Sequence, residues 1–178
     1  INRFTPAAKR GDHYVTIGRQ LPYKRYDLAV TAATKLGKKL IVFGNGPAHS
    51  RLVDLAGPTV EFRTDRFGDA SDAEYEKAIT TARGFIYPAE EDFGIVSVEA
   101  LAAGAPVIGL ARGGTTDIVT SPEVGVLFDR QTSISVAKAI EQAEKRTFDP
   151  MVLRRTAQRF DKTLFLTKLR KVVRDQMI

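Results

Sequence analysis

The sequence predicts a doubly wound α/β domain: a parallel sheet of about six strands, covered by helices on both faces. Three observations carry that expectation. Short, nearly continuous apolar runs such as Lys39–Phe43 (KLIVF) and Pro106–Leu110 (PVIGL) recur along the chain, as strands buried on both faces do. Longer stretches with helical periodicity separate them. Gly-Pro, Gly-Asn-Gly and Gly-Gly turns mark the boundaries. Strand and helix in strict alternation imply βαβ units and a parallel sheet.

The elements follow in order. His13–Gly18 (HYVTIG) reads as the first strand. Tyr26–Leu36 reads as a helix, with Gly37 placed to cap its C-terminus. Lys39–Phe43 is a buried strand that ends in the turn Gly44-Asn45-Gly46-Pro47. The next helix runs to Ala56 and is stopped by Gly57-Pro58, and Thr59–Phe62 is a short strand. Ser71 is the expected N-cap of a helix to Ala82, with Glu74 completing a capping box. Gly84–Tyr87 is a strand broken by Pro88, Gly94–Ala103 a helix, and Pro106–Leu110 a strand. Gly113-Gly114 opens a short helix, Gly125–Phe128 is the last strand, and helices fill Ile134–Lys145 and beyond. This arrangement is Rossmann-like.

Composition is that of an ordinary globular protein: 178 residues, 43% hydrophobic and 27% charged. That length suits one domain. There is no Cys, which excludes disulfides, thiolate metal sites and cysteine nucleophiles. No apolar run is long enough to span a bilayer, no signal peptide is visible, and a cytoplasmic location is expected. The chain begins at Ile1 rather than Met, which suggests a piece of something longer.

The net charge of +6 is uneven. Ten basic and two acidic residues between Lys145 and Arg174 give that segment +8, leaving −2 for the rest. A nucleic-acid binder would carry its basic character more broadly, so no nucleic-acid partner is expected. The basic end reads as an amphipathic helix, with Phe165, Leu169, Val172, Val173 and Gln176 on one face. A solvated basic face, a partner domain and an anionic membrane surface are the three readings of it.

Ligands of such sheets bind outside the carboxyl ends of the strands. Four segments lie there. Gly18-Arg19-Gln20-Leu21-Pro22-Tyr23-Lys24 offers a guanidinium fork and an ammonium, both suited to phosphate oxygens. Gly44-Asn45-Gly46-Pro47 begins like a dinucleotide fingerprint, but His49 occupies the third glycine position. NAD is therefore not the expected ligand, although the turn still allows close approach to backbone. Ala89-Glu90-Glu91-Asp92-Phe93-Gly94 leads into a helix whose free N–H groups form an anion site. Glu91 and Glu99 stand eight residues apart across that helix start. Carboxylates so placed can accept hydrogen bonds from hydroxyls, and Glu99, among apolar neighbours, needs a partner. Arg112-Gly113-Gly114 is either a second close approach to ligand or a plain connecting turn. With two His and no Asp-x-Asp pair, no metal site is expected.

The stretch Val15–Val119 resembles the C-terminal, donor-binding half of the GT-B glycosyltransferases, and more narrowly the retaining glycosyltransferase family four (group 1). The matching segments are Gly18-Arg19 with Lys24, Gly44–Pro47, Val60-Glu61-Phe62, Glu90–Ala100, Ala102–Ile108 and Gly113-Gly114. Glu91 and Glu99 reproduce the family's Glu-x7-Glu signature. The texture is nearest to mannosyltransferases that use GDP-mannose. The resemblance implies that Arg19 and Lys24 bind the donor diphosphate and that Glu91 bonds the transferred sugar. These three are the expected catalytic residues. It further implies that Glu99 holds the ribose hydroxyls. Asp92 and the amides of Phe93, Gly94 and Ile95 would meet sugar and phosphate. Gly18, Gly44, Asn45, Gly46, Glu61 and Phe62 would border the nucleotide. No cofactor is expected beyond the nucleoside-diphosphate sugar itself, with GDP-mannose favoured.

Two mild departures are Asn45, where the family usually has Asp, and Asp117, where Glu usually follows the double glycine. The larger departure is the N-terminal, acceptor-binding half, which this chain does not contain. Residues 1–11 then read as an interdomain linker remnant, 12–160 as the nucleotide-sugar domain, and 161–178 as a basic amphipathic helix. The expected function is donor binding for a hexosyltransferase, with no turnover by this piece alone. The full enzyme is expected in the cytoplasm or against the inner face of its membrane. The alternative is a non-catalytic nucleotide- or anion-binding module. An epimerase-like half would need His and Asp clusters at the strand ends, which are missing.

Overall fold

Alternate residues of each strand feed opposite faces of the sheet, as a period of two requires. In β1 (His13–Ile17) Val15 and Ile17 enter one core while Tyr14 enters the other. In β4 (Gly84–Tyr87) Phe85 and Tyr87 oppose Ile86, and in β5 (Val107–Leu110) Val107 opposes Ile108 and Leu110. Every residue of β4 and β5 is buried. These strands have no polar face because helices cover both sides.

The computed structural model describes residues 3–64 and 69–176. With β2 (Lys39–Phe43), β3 (Val60–Arg63) and β6 (Gly125–Phe128), the six parallel strands take the order β3-β2-β1-β4-β5-β6. The chain moves outward from β1 to β3, then returns to set β4 beside β1, with Tyr14 opposite Gly84. That reversal opens a crevice at the carboxyl ends of β1 and β4. The fold is Rossmann-like, as the sequence predicts.

Helices α1 (Tyr26–Leu36), α2 (His49–Leu55) and α6 (Ser133–Glu144) cover the Tyr14 face. Helices α3 (Asp69–Thr81), α4 (Ile95–Ala102), α5 (Thr115–Ile118) and α7 (Pro150–Ala157) cover the Val15 face. Gly37 caps α1 in the left-handed conformation (φ 61°), its N–H bonding the carbonyls of Ala33 and Thr34. Helix α3 begins at Asp69, so Ser71 lies within it and is not its N-cap. Acidic residue types suit a first helical turn, and the described helix starts three residues upstream of Asp72, the expected first helical residue. The remaining boundaries fall within about a residue or two of those read from the sequence.

Residues 3–11 lie against the domain. Phe4 is buried with its ring edge-on to Tyr75, and Arg154 donates to its carbonyl. Arg10 donates to the carbonyls of Ala82 and Gly104, and the Gly11 N–H bonds Thr81. At the other terminus, α8 (Lys162–Gln176) contains no buried residue and packs on the Gln158–Phe160 turn that precedes it.

Candidate functional site

The site is assembled from the loops that follow β1, β2, β4 and β5. After β1 the chain makes a single 3-10 turn, Pro22–Lys24, ended by Arg25 at φ 54°. Arg25 is the one non-glycine residue with positive φ among those described. This tight turn brings Lys24 back over the strand ends, where its Nζ lies 2.9 Å from Glu91 Oε1. The Tyr23 hydroxyl donates to the same oxygen at 3.2 Å, and the Tyr87 hydroxyl donates to Glu91 Oε2. Burial alone would raise the Glu91 pKa. The hydrogen bonds from Tyr87 and Lys24 outweigh it and hold the carboxyl below its ordinary range. Glu91 is therefore a fixed carboxylate. The same contact, with burial as the larger cause, pushes the Tyr87 hydroxyl up. Arg19 is exposed and carries no ion pair among the described residues.

The loops after β1 and β2 touch through their backbones. A Cβ on Gly44 (φ 101°) would sit 2.4 Å from the Gly18 carbonyl oxygen, and one on Gly46 2.7 Å from that of Gln20. Gln20 is fully buried and clasps the two loops. Its Nε2 donates to the Gly44 carbonyl at 2.6 Å, and its Oε1 lies 2.8 Å from His49 Nδ1. The Gln20 N–H bonds the Asn45 carbonyl at 2.9 Å. Gly18 itself (φ 145°) faces the Tyr26 hydroxyl, which donates to the Ile17 carbonyl. Asn45 is exposed, and its Oδ1 accepts from the Gly46 N–H. Glu61 is exposed and paired with Arg63, and Phe62 packs edge-on against His49.

The loop after β4 delivers Glu91, the exposed Asp92 and Phe93, and Gly94 (φ 79°) as the N-cap of α4. No side chain caps that helix, so its first amides are open to a ligand. Glu99 lies in the second turn of α4, half-buried. Burial raises its pKa against the opposing hydrogen bond from Tyr75. The loop after β5 packs its double glycine against the loop after β4. A Cβ on Gly113 would sit 2.3 Å from the Glu91 carbonyl oxygen, and one on Gly114 2.4 Å from that of Asp92. The Gly114 N–H bonds the Glu91 carbonyl at 2.8 Å. These glycines allow the loop after β5 to approach the backbone of the Glu91 loop closely.

Two hollows result. One of about 500 Å³ is bounded by Tyr23, Glu91, Asp92, Phe93, Gly94 and Ile95. A groove of about 1050 Å³ on the far side of Phe93 and Ile95 includes Glu99, Phe160 and Phe165 in its walls. The structure thus joins Lys24 to Glu91, and Gly18 to Gly44. It puts Glu91 and Glu99 in adjoining hollows. Asn45, Glu61 and Phe62 line neither. Sequence reasoning passed over Tyr23 and Tyr87 as Glu91 partners and Gln20 as the clasp. The strand end at Tyr87 was legible, but the fold of the loop that turns Glu91 back onto the Tyr87 hydroxyl was not. Among the described residues no group of three or more His, Asp or Glu could hold a metal ion.

Residues 2–160 match the family model described as Glycosyl transferases group 1. The chain belongs to this family. The sequence resemblance to group 1 therefore stands. A GDP-mannose-dependent alpha-mannosyltransferase of Mycobacterium tuberculosis (strain CDC 1551 / Oshkosh) is 30% identical over 135 residues, 72% of this chain and 34% of the relative. A D-inositol 3-phosphate glycosyltransferase of Salinispora tropica is 29% identical over 170 residues, 85% of this chain and 35% of the relative. The chain spans about a third of the length of these relatives. Sucrose-phosphate synthase from Thermosynechococcus elongatus superposes with a TM-score of 0.78 at 24% identity, over 99% of this chain and 50% of that one. The pneumococcal O-GlcNAc transferase GtfA, solved with UDP and GlcNAc, gives 0.77 at 19% identity, over 97% and 37%. At such identities the likeness is one of fold, that of the GT-B glycosyltransferases. In this group 1 domain, no described helix is long and apolar enough to cross a membrane.

Proposed function

We propose that this group 1 domain binds the nucleoside-diphosphate sugar donor of a retaining hexosyltransferase, with GDP-mannose the favoured donor. The observation that carries the reading is the Lys24–Glu91 pair, set beside the exposed Arg19 and the uncapped start of α4 at the topological switch point. Arg19, Lys24 and the helix amides supply the positive potential a diphosphate needs without a metal. Charge developing on the leaving nucleotide would be stabilised by the same groups. Glu91, locked as a carboxylate, accepts hydrogen bonds from sugar hydroxyls, and Glu99 accepts them from the ribose. Asp92 and the amides of Phe93 to Ile95 border sugar and phosphate. Gly18 and the Gly44–Gly46 turn bring backbone close to the nucleotide, and Glu61 and Phe62 flank the base. The sugar keeps its anomeric configuration through front-face attack, the donor phosphate taking the acceptor's proton, so no protein nucleophile is nominated. The acceptor and the other half of the cleft come from a second domain. The name of the mycobacterial relative supports mannose.

The test is a thermal-shift panel of GDP, UDP, ADP, dTDP, GDP-mannose and NAD. A ligand at about 100 times its Kd adds about 2.7 kcal/mol, or roughly 5–11 °C for a domain of this size. The expected result is a shift with GDP and GDP-mannose that Arg19→Ala removes. Arg19 is exposed and has no ion pair among the described residues, so its loss is expected to leave the apo melting temperature unchanged. A shift with a different nucleoside diphosphate would move the donor away from GDP-mannose. A shift with NAD alone would overturn the donor reading.

A further inference from the structure

We propose that Tyr23 reads the sugar of the donor, a role that rests on the donor reading above: its hydroxyl oxygen accepts a hydrogen bond from a sugar hydroxyl adjacent to the one that Glu91 binds. Tyr23 is the middle residue of the Pro22–Lys24 turn. Two backbone bonds fix that turn, from the Lys24 N–H to the Leu21 carbonyl at 3.0 Å and from the Arg25 N–H to the Pro22 carbonyl at 3.2 Å. The ring thus stands on stiff backbone, yet Tyr23 is 55% exposed. It bounds the hollow of about 500 Å³ with Glu90, Glu91, Asp92 and Phe93, the last itself 47% exposed. Two exposed aromatic rings and three carboxylates select a class of ligand. Carboxylates favour neutral hydroxyls over phosphate oxygens, and an aromatic ring covers apolar C–H surface. A hexose ring offers both a C–H face and a rim of hydroxyls.

Hydrogen-bond capacity decides which group is left to read it. An ionised carboxylate has about four acceptor positions. On Glu91, Oε1 takes Lys24 Nζ at 2.9 Å and the Tyr23 hydroxyl at 3.2 Å, and Oε2 takes the Tyr87 hydroxyl. About one position remains, on Oε2. Tyr87 is fully buried, so it orients Glu91 and is out of reach of a ligand. Tyr23 is the partner that a ligand can touch. Glu91 only accepts, so Tyr23 donates to it, and the phenol oxygen keeps its own lone pairs. Glu91 Oε2 and the Tyr23 oxygen then form two acceptors linked through one carboxylate. Adjacent hydroxyls of a hexose supply two donors. A site that hydrogen-bonds a hydroxyl discriminates against the analogue lacking it, because the acceptor is left unpaired.

Isothermal titration of the 178-residue chain with GDP and GDP-mannose, and with UDP and UDP-glucose, tests it. The readout is the affinity for a sugar nucleotide divided by that for its own diphosphate, since a change in folding or in nucleotide binding cancels from the ratio. Tyr23→Phe keeps the ring and is expected to lower the ratio about tenfold, the worth of one hydrogen bond. Single-deoxy analogues of GDP-mannose and UDP-glucose then locate the contact. One of them should bind the unmodified chain about tenfold more weakly than its parent and lose nothing further in Tyr23→Phe, as direct contact requires. An unchanged ratio in Tyr23→Phe would overturn the proposal. So would a raised ratio, which would make the hydroxyl a competitor of the sugar for Glu91. Deoxy losses that add in full to the loss in Tyr23→Phe would also overturn it, leaving Tyr23 a support of Glu91 alone. Failure of all four nucleotides to bind the unmodified chain would overturn the donor reading, and this role with it.

Discussion

Glu91 receives hydrogen bonds from Tyr23 and Tyr87 and an ammonium from Lys24, so folding favours its ionised form. Its folded pKa lies below the unfolded value, and the stability it contributes is present above the ordinary glutamate range. That contribution is lost as pH falls through the depressed folded value. Glu99 works in the opposite direction. Burial raises its folded pKa, so the folded state is disfavoured by its charge once pH rises through the unfolded value, in full above the folded one. Urea titrations between about pH 3 and pH 7 should separate the two. Glu91→Gln is expected to lower stability at pH 7 by about 1–2 kcal/mol and to flatten the acid limb of the profile. Glu99→Gln is expected to leave stability at pH 7 unchanged or raised, because an amide keeps the Tyr75 hydrogen bond without a buried charge. A loss of stability at pH 7 in Glu99→Gln would contradict this account. The double glycine gives a steric counterpart. Gly113→Ala adds a Cβ 2.3 Å from a backbone oxygen at φ 59°, where neither partner is a flexible side-chain end. A cost of at least about 2 kcal/mol is expected, with the Glu91 loop displaced and nucleotide binding weakened along with it.

Side-chain caps at the element scale are unevenly distributed among the helices. Thr132 accepts from the Ser135 N–H at 3.1 Å to close α6, and Asp149 accepts from the Met151 N–H at 2.8 Å to close α7. Helices α1, α2, α4 and α5 begin at the carboxyl edge of the sheet with no side-chain cap. Thr132→Ala should therefore cost about 1 kcal/mol in chemical denaturation and leave the nucleotide shift untouched. The strands and most helix limits were legible in the sequence because apolar runs, helical periodicity and Gly or Pro breaks are local signals. KLIVF can be little else than a buried strand, and Gly37 after Leu36 marks a helix end by itself. The family was legible because Arg19, Lys24 and Glu91 stand in loops after strand ends that could be located, and Glu99 stands eight residues after Glu91 in the helix that follows. What escaped was contact between loops far apart in sequence. Gln20 reads as an unremarkable loop residue until β2 places Gly44 and His49 beside it. Gly113 and Gly114 read equally as ligand cradle or turn. Their neighbour, the Glu91 backbone, is fixed by sheet order, which periodicity does not encode.

Across the whole molecule the two ends of the chain are held by different forces, and a pair of changes should expose the difference. Phe4 is 2% exposed, packs on Tyr75 beneath α3, and has its carbonyl bound by Arg154 from α7. Its segment joins three parts of the Val15-face core, so removing the ring leaves a cavity that rigid neighbours cannot close. Phe4→Ala is expected to cost about 3–5 kcal/mol, a large share of the stability of an ordinary domain. Residues 162–178 are the opposite case. The described part of that segment, α8, has no buried residue, and the family match ends at residue 160. A chain ending at Asp161 should keep its melting temperature within about 2–4 °C, the shift expected of roughly 1 kcal/mol in a domain of this size. It should also keep the nucleotide shift. If truncation instead unfolded the domain, the apolar face of α8 would have to be covered by its own sheet layers. If Phe4→Ala were neutral, residues 3–11 would be a tether lying on a core that closes without them. Helix α8 spends its apolar residues outside the fold, whereas the N-terminal segment spends Phe4 inside it. Sequence position therefore does not decide which terminus the domain needs. Burial does.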